Sequence, residues 1–356
     1  MKYIYINGRF LTQNTTGVQR VAEEIVKELD KLIEEENITQ YKFCILIPKN
    51  SIRSLKLKNI SVKRVGKLKG HAWEQLELPL FTKKHLLINF CNTAPMYKKN
   101  QIVYIHDTAI LDAPDGFSNT FIKVYSKIFN TVSKRSKHII TVSEFSQHQL
   151  IHHFPVLKDK ISYSHLGIEH VKALSISENE EILKKFNLKK YSYFLAVSSA
   201  NPNKNFKIIS DMLEKSSSFE EDFILVGGTA SKVFGEGTEL SQKIHQLGYV
   251  TDDELIALYS NAKAFIFPSK YEGFGLPPVE AMSQGCPVIA SNCASIPEVL
   301  ENKAIYFNNE DYNSLYTSLN KINETNIDRQ ALLSFVDNKY SWKKTTKHLY
   351  DIILEI

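Results

Sequence analysis

Two glutamates in the segment 267–300 have a spacing that suits a ligand pocket. Glu272 lies in a predicted loop after a strand, and Glu280 lies eight residues later, inside the helix that follows the loop. Gly273 and Gly275 let the backbone of this loop approach a ligand closely. Both carboxylates can therefore face one pocket from different depths, where they would accept hydrogen bonds from sugar hydroxyls.

The start of this predicted helix suits an anion. Pro277 and Pro278 fit the first turn of a helix, and the N–H groups of that turn attract negative charge. A phosphate would fit beside the two glutamates. Lys204, in the sequence NPNKNF, lies in another loop between a predicted strand and a predicted helix.

The glutamate segment resembles the Glu-x7-Glu signature of the family 4 retaining glycosyltransferases. The resemblance continues in the expected order through YFLAVSSANPNKN (193–205), LVGG (225–228), LGYVTDDELIALYSNAKAFIFPS (247–269) and PEVLENKAIYF (297–307). It implies that Glu272 contacts hydroxyls of the donor sugar, that Glu280 holds the nucleotide ribose, and that Lys204 binds the donor diphosphate. A positive charge there would stabilise the departing nucleoside diphosphate.

One position departs from the family pattern. The family commonly has an arginine five or six residues before the lysine, where this chain has Ser199 and Ser198. Whether Lys270, Arg20 or backbone amides complete the cation site stays open. We expect the backbone near Tyr249 and Val250 to contact the base of the donor. The predicted donor-binding residues in loops are Ser198, Tyr249, Val250, Gly17, Gly273, Phe274, Gly275 and Leu276.

The N-terminal half holds further candidates. Gly17, in TGVQR, resembles the glycine of the family's first loop, although a helix-start glycine without a ligand is the alternative. His106, at the end of IVYIHD, resembles a family histidine beside the donor sugar, which would orient a hydroxyl or stabilise charge at the anomeric carbon; a core histidine is the alternative. HAWEQLELP (71–79) resembles a segment of some enzymes of surface polysaccharide assembly and equally fits a helix packed on the sheet.

The elements that must position these residues alternate between β-rich runs and amphipathic helices. This alternation is typical of parallel sheets with crossover helices, so the predicted fold class is α/β. Two series of strands are expected. The first is predicted at 3–6, 43–47, 86–89, 102–106, 138–142 and 161–164; the second is predicted at 193–198, 223–226, 264–267, 287–290 and 304–307.

The polar stretch 168–190 separates the two series and predicts a domain boundary near residue 170. The resemblance implies the GT-B fold, with two facing Rossmann-like domains and a terminal helix that crosses back to the first. We therefore expect an N-terminal acceptor-side domain at 1–170, a C-terminal sugar-nucleotide-binding domain at 171–340, and the terminal helix at 341–356.

The composition is that of a globular protein. The 356 residues are 43% hydrophobic and 23% charged, and the sequence shows no signal peptide and no apolar run long enough to span a bilayer, which predicts a cytoplasmic protein. The four cysteines lack metal-ligand spacing and are expected to be buried thiols. The charge is unevenly distributed along the sequence. Residues 1–170 contain 25 Lys and Arg and 15 Asp and Glu, a net charge of +10, whereas the rest contains 19 Lys and Arg and 24 Asp and Glu, a net charge of −5.

Basic residues cluster in two spans of the first half. Such spans are either solvated faces or a surface for peripheral contact with an anionic membrane, from which a lipid-diphosphate-linked glycan acceptor would reach the enzyme. A nucleic-acid partner is disfavoured, because the spans lack a recognised fold or interleaved aromatic residues. The residues are Arg53, Lys56, Lys58, Lys63, Arg64, Lys67 and Lys69, then Lys134, Arg135 and Lys137.

The reaction implied by the resemblance is transfer of a hexosyl group, with retention, from a nucleoside-diphosphate sugar to a glycan or lipid-linked glycan in cell-surface polysaccharide biosynthesis. The donor would be GDP-, UDP- or dTDP-linked, and we expect no cofactor and no metal. The alternatives are a GT-B epimerase or phosphorylase, and a sugar-nucleotide-binding protein without transferase activity.

Overall fold

The structure is a computed structural model that describes residues 2–171, 174–198, 201–216, 219–228, 241–325 and 327–356. Its described strands form two sheets in which every pairing is parallel. The seven-stranded sheet has the order β3-β2-β1-β4-β5-β6-β7. Its strands are β1 Lys2–Asn7, β2 Tyr41–Ile47, β3 Ser61–Arg64, β4 Leu86–Asn89, β5 Gln101–Tyr104, β6 His138–Thr141 and β7 Ile161–Tyr163.

The second sheet has six strands in the order β10-β9-β8-β11-β12-β13. Its strands are β8 Tyr193–Ser198, β9 Asp222–Gly227, β10 Ile244–Gly248, β11 Ala264–Phe267, β12 Val288–Ser291 and β13 Ile305–Phe307. The two parallel sheets confirm the predicted α/β class with two Rossmann-like domains.

Helices connect the strands. Those of the first part are α1 Gly17–Glu35, α2 Gly70–Ala72, a π-helical turn Trp73–Glu77, α3 Leu78–Thr82, α4 Ala109–Asp112, α5 Asn119–Arg135 and α6 Glu144–His153. Those that follow are α7 Ile176–Lys185, α8 Lys207–Lys215, α9 Asp252–Asn261, α10 Leu276–Met282, α11 Ile296–Leu300, α12 Tyr312–Glu324, α13 Arg329–Lys339 and α14 Trp342–Glu355. None of the helices in these ranges is long and apolar enough to cross a bilayer.

Burial explains why the central strands read as unbroken apolar runs. β11 and β12 are buried at every position, because helices cover both faces of a parallel sheet. On α1, apolar residues recur at helical spacing, and Val21, Ile25 and Leu29 are buried along one stripe.

Two edge strands were not predicted from the sequence. β3 is exposed at all four positions, and β10 buries only Ile244 fully. Neither strand has a run of apolar residues or a regular alternation of apolar and polar residues. An edge strand with a solvated face buries few side chains, so its sequence does not require such a pattern. Both are held by main-chain pairing, β3 to β2 and β10 to β9.

The chain divides into two compact units. Unit 1 is Met1–Gly167 together with Ser341–Ile356, and unit 2 is Ile168–Tyr340. Within unit 1, α14 packs on α1. Trp342 is buried, Gln40 donates a hydrogen bond to the Tyr350 hydroxyl at 3.0 Å, and Thr345 donates one to the carbonyl of His165 at 2.6 Å.

Each sheet has one place where the strand order reverses direction. In unit 1 the chain moves outward from β1 to β3 and then returns to β4, beside β1; in unit 2 it moves from β8 to β10 and returns to β11, beside β8. Ligands of parallel sheets bind at the carboxyl ends of the strands at such a switch point. Loops after β1, β4, β8 and β11 are therefore the places to look for a site.

Candidate active site

Lys204 and Glu272 meet at the switch point of unit 2. Lys204 follows β8, Glu272 follows the neighbouring β11, and the Nζ of the lysine lies 2.6 Å from Oε1 of the glutamate. Both side chains are partly buried, and the lysine also lies over the ring of Phe267, 5.6 Å from its centroid. The two sequence predictions thus converge on one ion pair at a ligand-binding edge.

The Lys204 loop is fixed by its own turn chemistry. Pro202 begins the short 3-10 turn Pro202–Lys204, and Asn205 ends it in the left-handed conformation, with a φ of 54° that asparagine tolerates better than most residues. The side-chain amide of Asn205 donates to the carbonyl of Asn309 at 2.8 Å. The backbone N–H of Lys270 donates to the carbonyl of Asn203 at 2.7 Å, which ties this loop to the Glu272 loop.

The Glu272 loop is held from behind by three side chains that follow β12 or end it. Ser291 donates to the carbonyl of Ser269 at 2.5 Å, the Cys293 thiol lies 3.1 Å from the same carbonyl, and Ser295 donates to the carbonyl of Glu272 at 3.0 Å. Cys293 is partly exposed and bonded to this loop, and Cys91 in unit 1 is also partly exposed, so the prediction of buried thiols was wrong for these two residues.

Gly275 and Phe274 shape the entry into α10. Gly275 has a φ of 86°, and a Cβ added there would lie 3.3 Å from the ring of Phe267, so both conformation and space favour glycine. Phe274 is buried edge-on against Tyr340, with ring centroids 5.5 Å apart. Leu276 begins the helix and is buried, as is Gly273 in the loop. The predicted prolines occupy the first helical turn.

Glu280, on α10, is held by two residues that the sequence did not indicate. Its Oε1 lies 3.0 Å from Nε2 of His170, and its Oε2 accepts a hydrogen bond from the Tyr259 hydroxyl at 3.3 Å. Burial, the Glu280 charge and this hydrogen bond raise the pKa of Tyr259 well above its usual value, so the phenol stays a donor. His170 directly follows the family-like stretch HLGIE, and Tyr259 lies on the buried stripe of α9, where an aromatic residue gives no functional signal.

The remaining residues predicted to contact the donor lie in three other parts of the structure. Tyr249 is 90% exposed just after β10, and Val250 beside it is partly exposed. Ser198 ends β8, and Ser199 lies outside the described residues. Gly17 begins α1 in unit 1, with open space around its Cα.

His106 lies in unit 1, directly after β5. It is buried, and its Nε2 donates to the carbonyl of Phe90 at 2.7 Å, a contact that fixes the neutral tautomer with Nδ1 as the acceptor. Burial lowers the pKa of His106 to about 4, although the Phe90 hydrogen bond opposes this shift. A neutral His106 ring can orient a hydroxyl group. It carries no charge, so it does not provide a charge that would stabilise the anomeric carbon in the transition state.

The side chains around Lys204 and Glu272 indicate which chemical groups this region can bind. The described residues hold no group of three His, Cys, Asp or Glu side chains placed to bind a metal ion. The side chains gathered at the switch point of unit 2 are a cation, two carboxylates and a phenol, which suit phosphate and hydroxyl groups.

Comparison with known proteins shows which families this chain is similar to. The family model described as glycosyl transferases group 1 matches residues 178–336, a stretch that includes Lys204, Glu272 and Glu280. Among relatives, the O-antigen chain mannosyltransferase RfbU of Salmonella typhimurium is 33% identical over 251 residues, which are 68% of this chain and 66% of that protein. The O-antigen chain mannosyltransferase B of Escherichia coli is 30% identical over 231 residues, which are 62% of this chain and 60% of that protein.

A solved structure extends the likeness to the whole fold. Sucrose-phosphate synthase from Thermosynechococcus elongatus superposes with a TM-score of 0.73 at 13% identity, over 100% of this chain and 99% of that one. The fold is therefore GT-B. The aligned parts of this chain span slightly less than two thirds of the mannosyltransferases named above.

Proposed function

Because residues 178–336 belong to the glycosyl transferases of group 1 and the chain resembles bacterial mannosyltransferases, we propose that it transfers a hexosyl group, most simply mannosyl, from a nucleoside-diphosphate sugar to a glycan acceptor. The observation that carries the proposal is the Lys204–Glu272 pair at the switch point of unit 2. It supports the proposal because a cation that suits a diphosphate lies next to a carboxylate that suits sugar hydroxyls.

The donor diphosphate is assigned to Lys204. The lysine is partly buried, and Glu272 neutralises it in the free protein. Negative charge grows on the leaving nucleoside diphosphate as the glycosidic bond breaks, so a nearby cation lowers the barrier. When donor binds, the lysine shifts its contact toward the phosphate oxygens and leaves Oε1 of Glu272 to accept a hydrogen bond from a sugar hydroxyl.

The nucleotide ribose is assigned to Glu280. Each of its carboxylate oxygens has one protein partner, His170 or Tyr259, and each has a second lone pair. A ribose offers two neighbouring hydroxyl donors, which match a carboxylate held at a fixed orientation.

Retention of configuration is part of the proposal, as the family resemblance implies. Glu272 contacts a sugar hydroxyl in the donor complex and Glu280 is held by His170 and Tyr259, so the scheme uses neither carboxylate as a nucleophile. The acceptor hydroxyl then attacks the same face that the phosphate leaves, through an oxocarbenium-like state, and the leaving phosphate takes the hydroxyl proton. His106, neutral and buried, orients a hydroxyl in this scheme. No resident metal or cofactor is required.

The acceptor is proposed to be a lipid-linked glycan at an anionic membrane. Unit 1 carries a basic–apolar face, defined as the exposed residues Lys67, Leu68, Lys69, Leu76, Leu80, Phe81, Lys83 and Lys84. Leu76 and Leu80 are 62% and 70% exposed and lie four residues apart along the 70–82 helical segment. Apolar side chains beside lysines suit the boundary between headgroups and acyl chains, on the inner face of the cell membrane.

A panel of sugar nucleotides tests the function. Full-length protein is incubated with GDP-mannose, UDP-glucose, UDP-galactose or dTDP-rhamnose, and release of nucleoside diphosphate is followed with and without excess EDTA. We expect one donor to be consumed, with the nucleoside diphosphate as product and with EDTA having no effect. Tight donor binding without turnover would identify a binding protein instead, and isomerised sugar nucleotide or sugar 1-phosphate would identify an epimerase or a phosphorylase.

A further inference from the structure

Unit 1 holds a buried polar cluster at its own switch point that the donor site does not use. Asn7 ends β1 and Asn89 ends the neighbouring β4, and the side-chain amide of Asn7 donates to the side-chain Oδ1 of Asn89 at 3.0 Å. Arg9 follows β1 and Thr93 follows β4, and Nη2 of the arginine donates to the threonine hydroxyl at 2.7 Å. Polar side chains are thus concentrated where a parallel sheet binds ligands.

Glu74 is the charged centre of this cluster. Its side chain is 1% exposed, and Oε1 accepts hydrogen bonds from Asn7 at 2.8 Å, from Arg9 at 3.1 Å and from Thr93 at 3.1 Å. Burial alone would raise the pKa of Glu74, but the hydrogen bonds from His71 and Asn7 and the Arg9 charge outweigh it, so the pKa is lowered. Glu74 is therefore an ionised carboxylate that only accepts hydrogen bonds.

The second oxygen of Glu74 faces a histidine. Nδ1 of His71 lies 3.3 Å from Oε2, and the His71 side chain is 47% exposed. An ionised carboxylate requires a proton on Nδ1 of the imidazole, and in the neutral ring Nε2 then carries a lone pair. The three other donors contact Oε1, so His71 is the partner of Oε2, and this contact both stabilises the carboxylate and orients the imidazole ring.

The backbone around this pair is unusual. Trp73–Glu77 is a π-helical turn, closed by a bond from the N–H of Leu78 to the carbonyl of Trp73. Such single turns widen a helix by one residue and recur at functional sites. Trp73 is fully buried and donates to the carbonyl of Val65 at 2.9 Å, which anchors the turn.

An aromatic row extends from His71 along α5. The rings of His71 and Tyr125 meet edge to face at 6.1 Å, Tyr125 stacks on Phe121 at 4.0 Å, and Phe121 stacks on Phe117 at 5.4 Å. Tyr125, Phe121 and Phe117 are each partly exposed. Partly exposed aromatic rings beside a few oriented polar groups are the composition of a small-molecule site, and sugars present both C–H surfaces and hydroxyls to such a lining.

We propose that His71, oriented by Glu74, contacts the acceptor in a hexose-binding subsite of unit 1: Nε2 accepts a hydrogen bond from a sugar hydroxyl while the sugar ring lies against the Tyr125–Phe121–Phe117 row. Glu74 is a positioning residue, and Arg9 keeps its charge compensated. The inference rests on the proposed function, because an acceptor site has a purpose only in a transferase.

The experiment measures binding of simple sugars to the full chain without any donor. Methyl α-D-mannopyranoside, methyl α-D-glucopyranoside and methyl α-D-galactopyranoside are titrated and followed by ligand-observed NMR. We expect the wild-type chain to bind at least one of them, and His71→Ala to weaken that binding about fivefold to tenfold, the effect of one lost hydrogen bond plus ring contact. No detectable binding of any of the three by the wild-type chain overturns the proposal.

Two isosteres separate a sugar contact from a structural role. Asparagine places an amide N–H where His71 has Nδ1, so His71→Asn keeps the bond to Glu74 and loses Nε2; glutamine reaches the Nε2 position instead. We expect His71→Asn to bind as weakly as His71→Ala, and His71→Gln to recover part of the affinity. If His71→Asn binds the sugars as tightly as the wild type, then His71 acts only as a hydrogen-bond partner of Glu74 and does not contact the sugar.

Two controls complete the design. His153 is another partly exposed histidine of unit 1 paired with a carboxylate, 2.6 Å from Asp112, and His153→Gln should bind the sugars like the wild type. Calorimetry with GDP-mannose and the other sugar nucleotides reports on the donor site separately. Sugar-nucleotide affinity should be unchanged in every His71 variant. If the wild-type chain binds no sugar nucleotide, the proposed function fails, whatever the methyl glycosides do.

Discussion

The Nζ of Lys204 lies 2.6 Å from Oε1 of Glu272, so the group assigned to the donor diphosphate and the group assigned to the donor sugar neutralise each other in the free protein. The pair joins loops that follow adjacent strands of the second sheet. Removing either side chain leaves the other partly buried charge without its partner. A variant of Lys204 or of Glu272 therefore combines two effects: its own side chain is lost, and the remaining side chain of the pair loses its ion-pair partner.

Replacement of Lys204 by methionine should lower kcat about 100-fold or more and weaken donor binding, because the leaving diphosphate loses its cation. Steady-state kinetics and calorimetry with the active donor measure the two effects. The matched control is Lys263→Met. Lys263 pairs with Glu221 at the same 2.6 Å and similar exposure, but it precedes β11 at the opposite end of the strand. Equal losses in both variants would contradict a special role for Lys204.

Replacement of Glu272 by glutamine should reduce kcat by about tenfold to 100-fold, with a smaller change in donor Kd, because the amide keeps the shape but loses the charge that strengthens the sugar contact in the transition state. Glu221→Gln is its control, since that carboxylate is also paired with a lysine. A Glu272→Gln enzyme that keeps wild-type kcat would remove the carboxylate from the reaction.

The Glu280→Gln variant should weaken nucleotide binding about tenfold while kcat at saturating donor changes little. The loss arises because an amide accepts ribose hydroxyl hydrogen bonds less strongly than a carboxylate and cannot accept at both oxygens. Calorimetry with the free nucleoside diphosphate isolates this effect from the sugar. The Tyr259→Phe variant, which removes only a supporting donor, should show a smaller loss.

Acidification should destabilise unit 1 through His106. Its pKa in the folded protein is about 4, below the value of the unfolded chain, so the unfolded state binds more protons as the pH falls. Stability from the buried neutral ring is complete above about pH 6.5 and is lost progressively toward pH 4; at pH 5 the loss is about 2 kcal/mol.

His106→Gln keeps a donor for the Phe90 carbonyl and cannot titrate. The free energy of unfolding, measured in urea at pH 7 and pH 5, should fall less on acidification in this variant than in the wild type. Burial and the nearby His348 also lower the pKa of His138 to about 4. Because His138 is present in both proteins, its titration contributes equally to the two measurements. An NMR titration in which the His106 ring protonates near pH 6.5 would contradict the prediction.

Vesicle binding should depend on the basic–apolar face. The triple variant Leu76→Ser, Leu80→Ser, Phe81→Ser and the pair Lys83→Glu, Lys84→Glu should each reduce sedimentation with anionic vesicles, and salt should weaken the wild-type interaction, because each lysine near the surface contributes about 1 kcal/mol that ions screen. Ile176, 80% exposed in unit 2, is the control, and Ile176→Ser should bind normally. Equal binding to neutral vesicles would exclude the electrostatic part.

Two residues of the predicted basic surface make contacts within unit 1. Arg53 donates to the carbonyls of Phe10 and Gln13, at 2.7 Å and 2.6 Å, and Lys58 pairs with Glu34. A count of basic residues cannot distinguish a lysine or arginine that holds a loop from one that faces solvent. The apolar residues of the basic–apolar face became visible only with the structure, because Leu76 and Leu80 follow the same spacing as buried leucines.

The donor site was more accessible to sequence reasoning. Gly275 and the two prolines mark a turn into a helix through their own backbone preferences, and Lys204 and Glu272 lie after strands that the apolar runs reveal. The partners of Glu280 come from distant positions, His170 and Tyr259, and no local pattern encodes such a contact. The same is true of Glu74, since only the fold brings β1, β4 and the 70–82 segment together.

The packing of α14 on α1 sets an order of events during synthesis. Lys343 and Lys347 pair with Glu35 and Glu36, and these partners are separated by the entire length of unit 2. The ribosome makes all the strands of the first sheet before it begins the second, yet it adds the helix that completes unit 1 only after unit 2. The packing of α14 on α1 therefore cannot form until all of unit 2 has been synthesised.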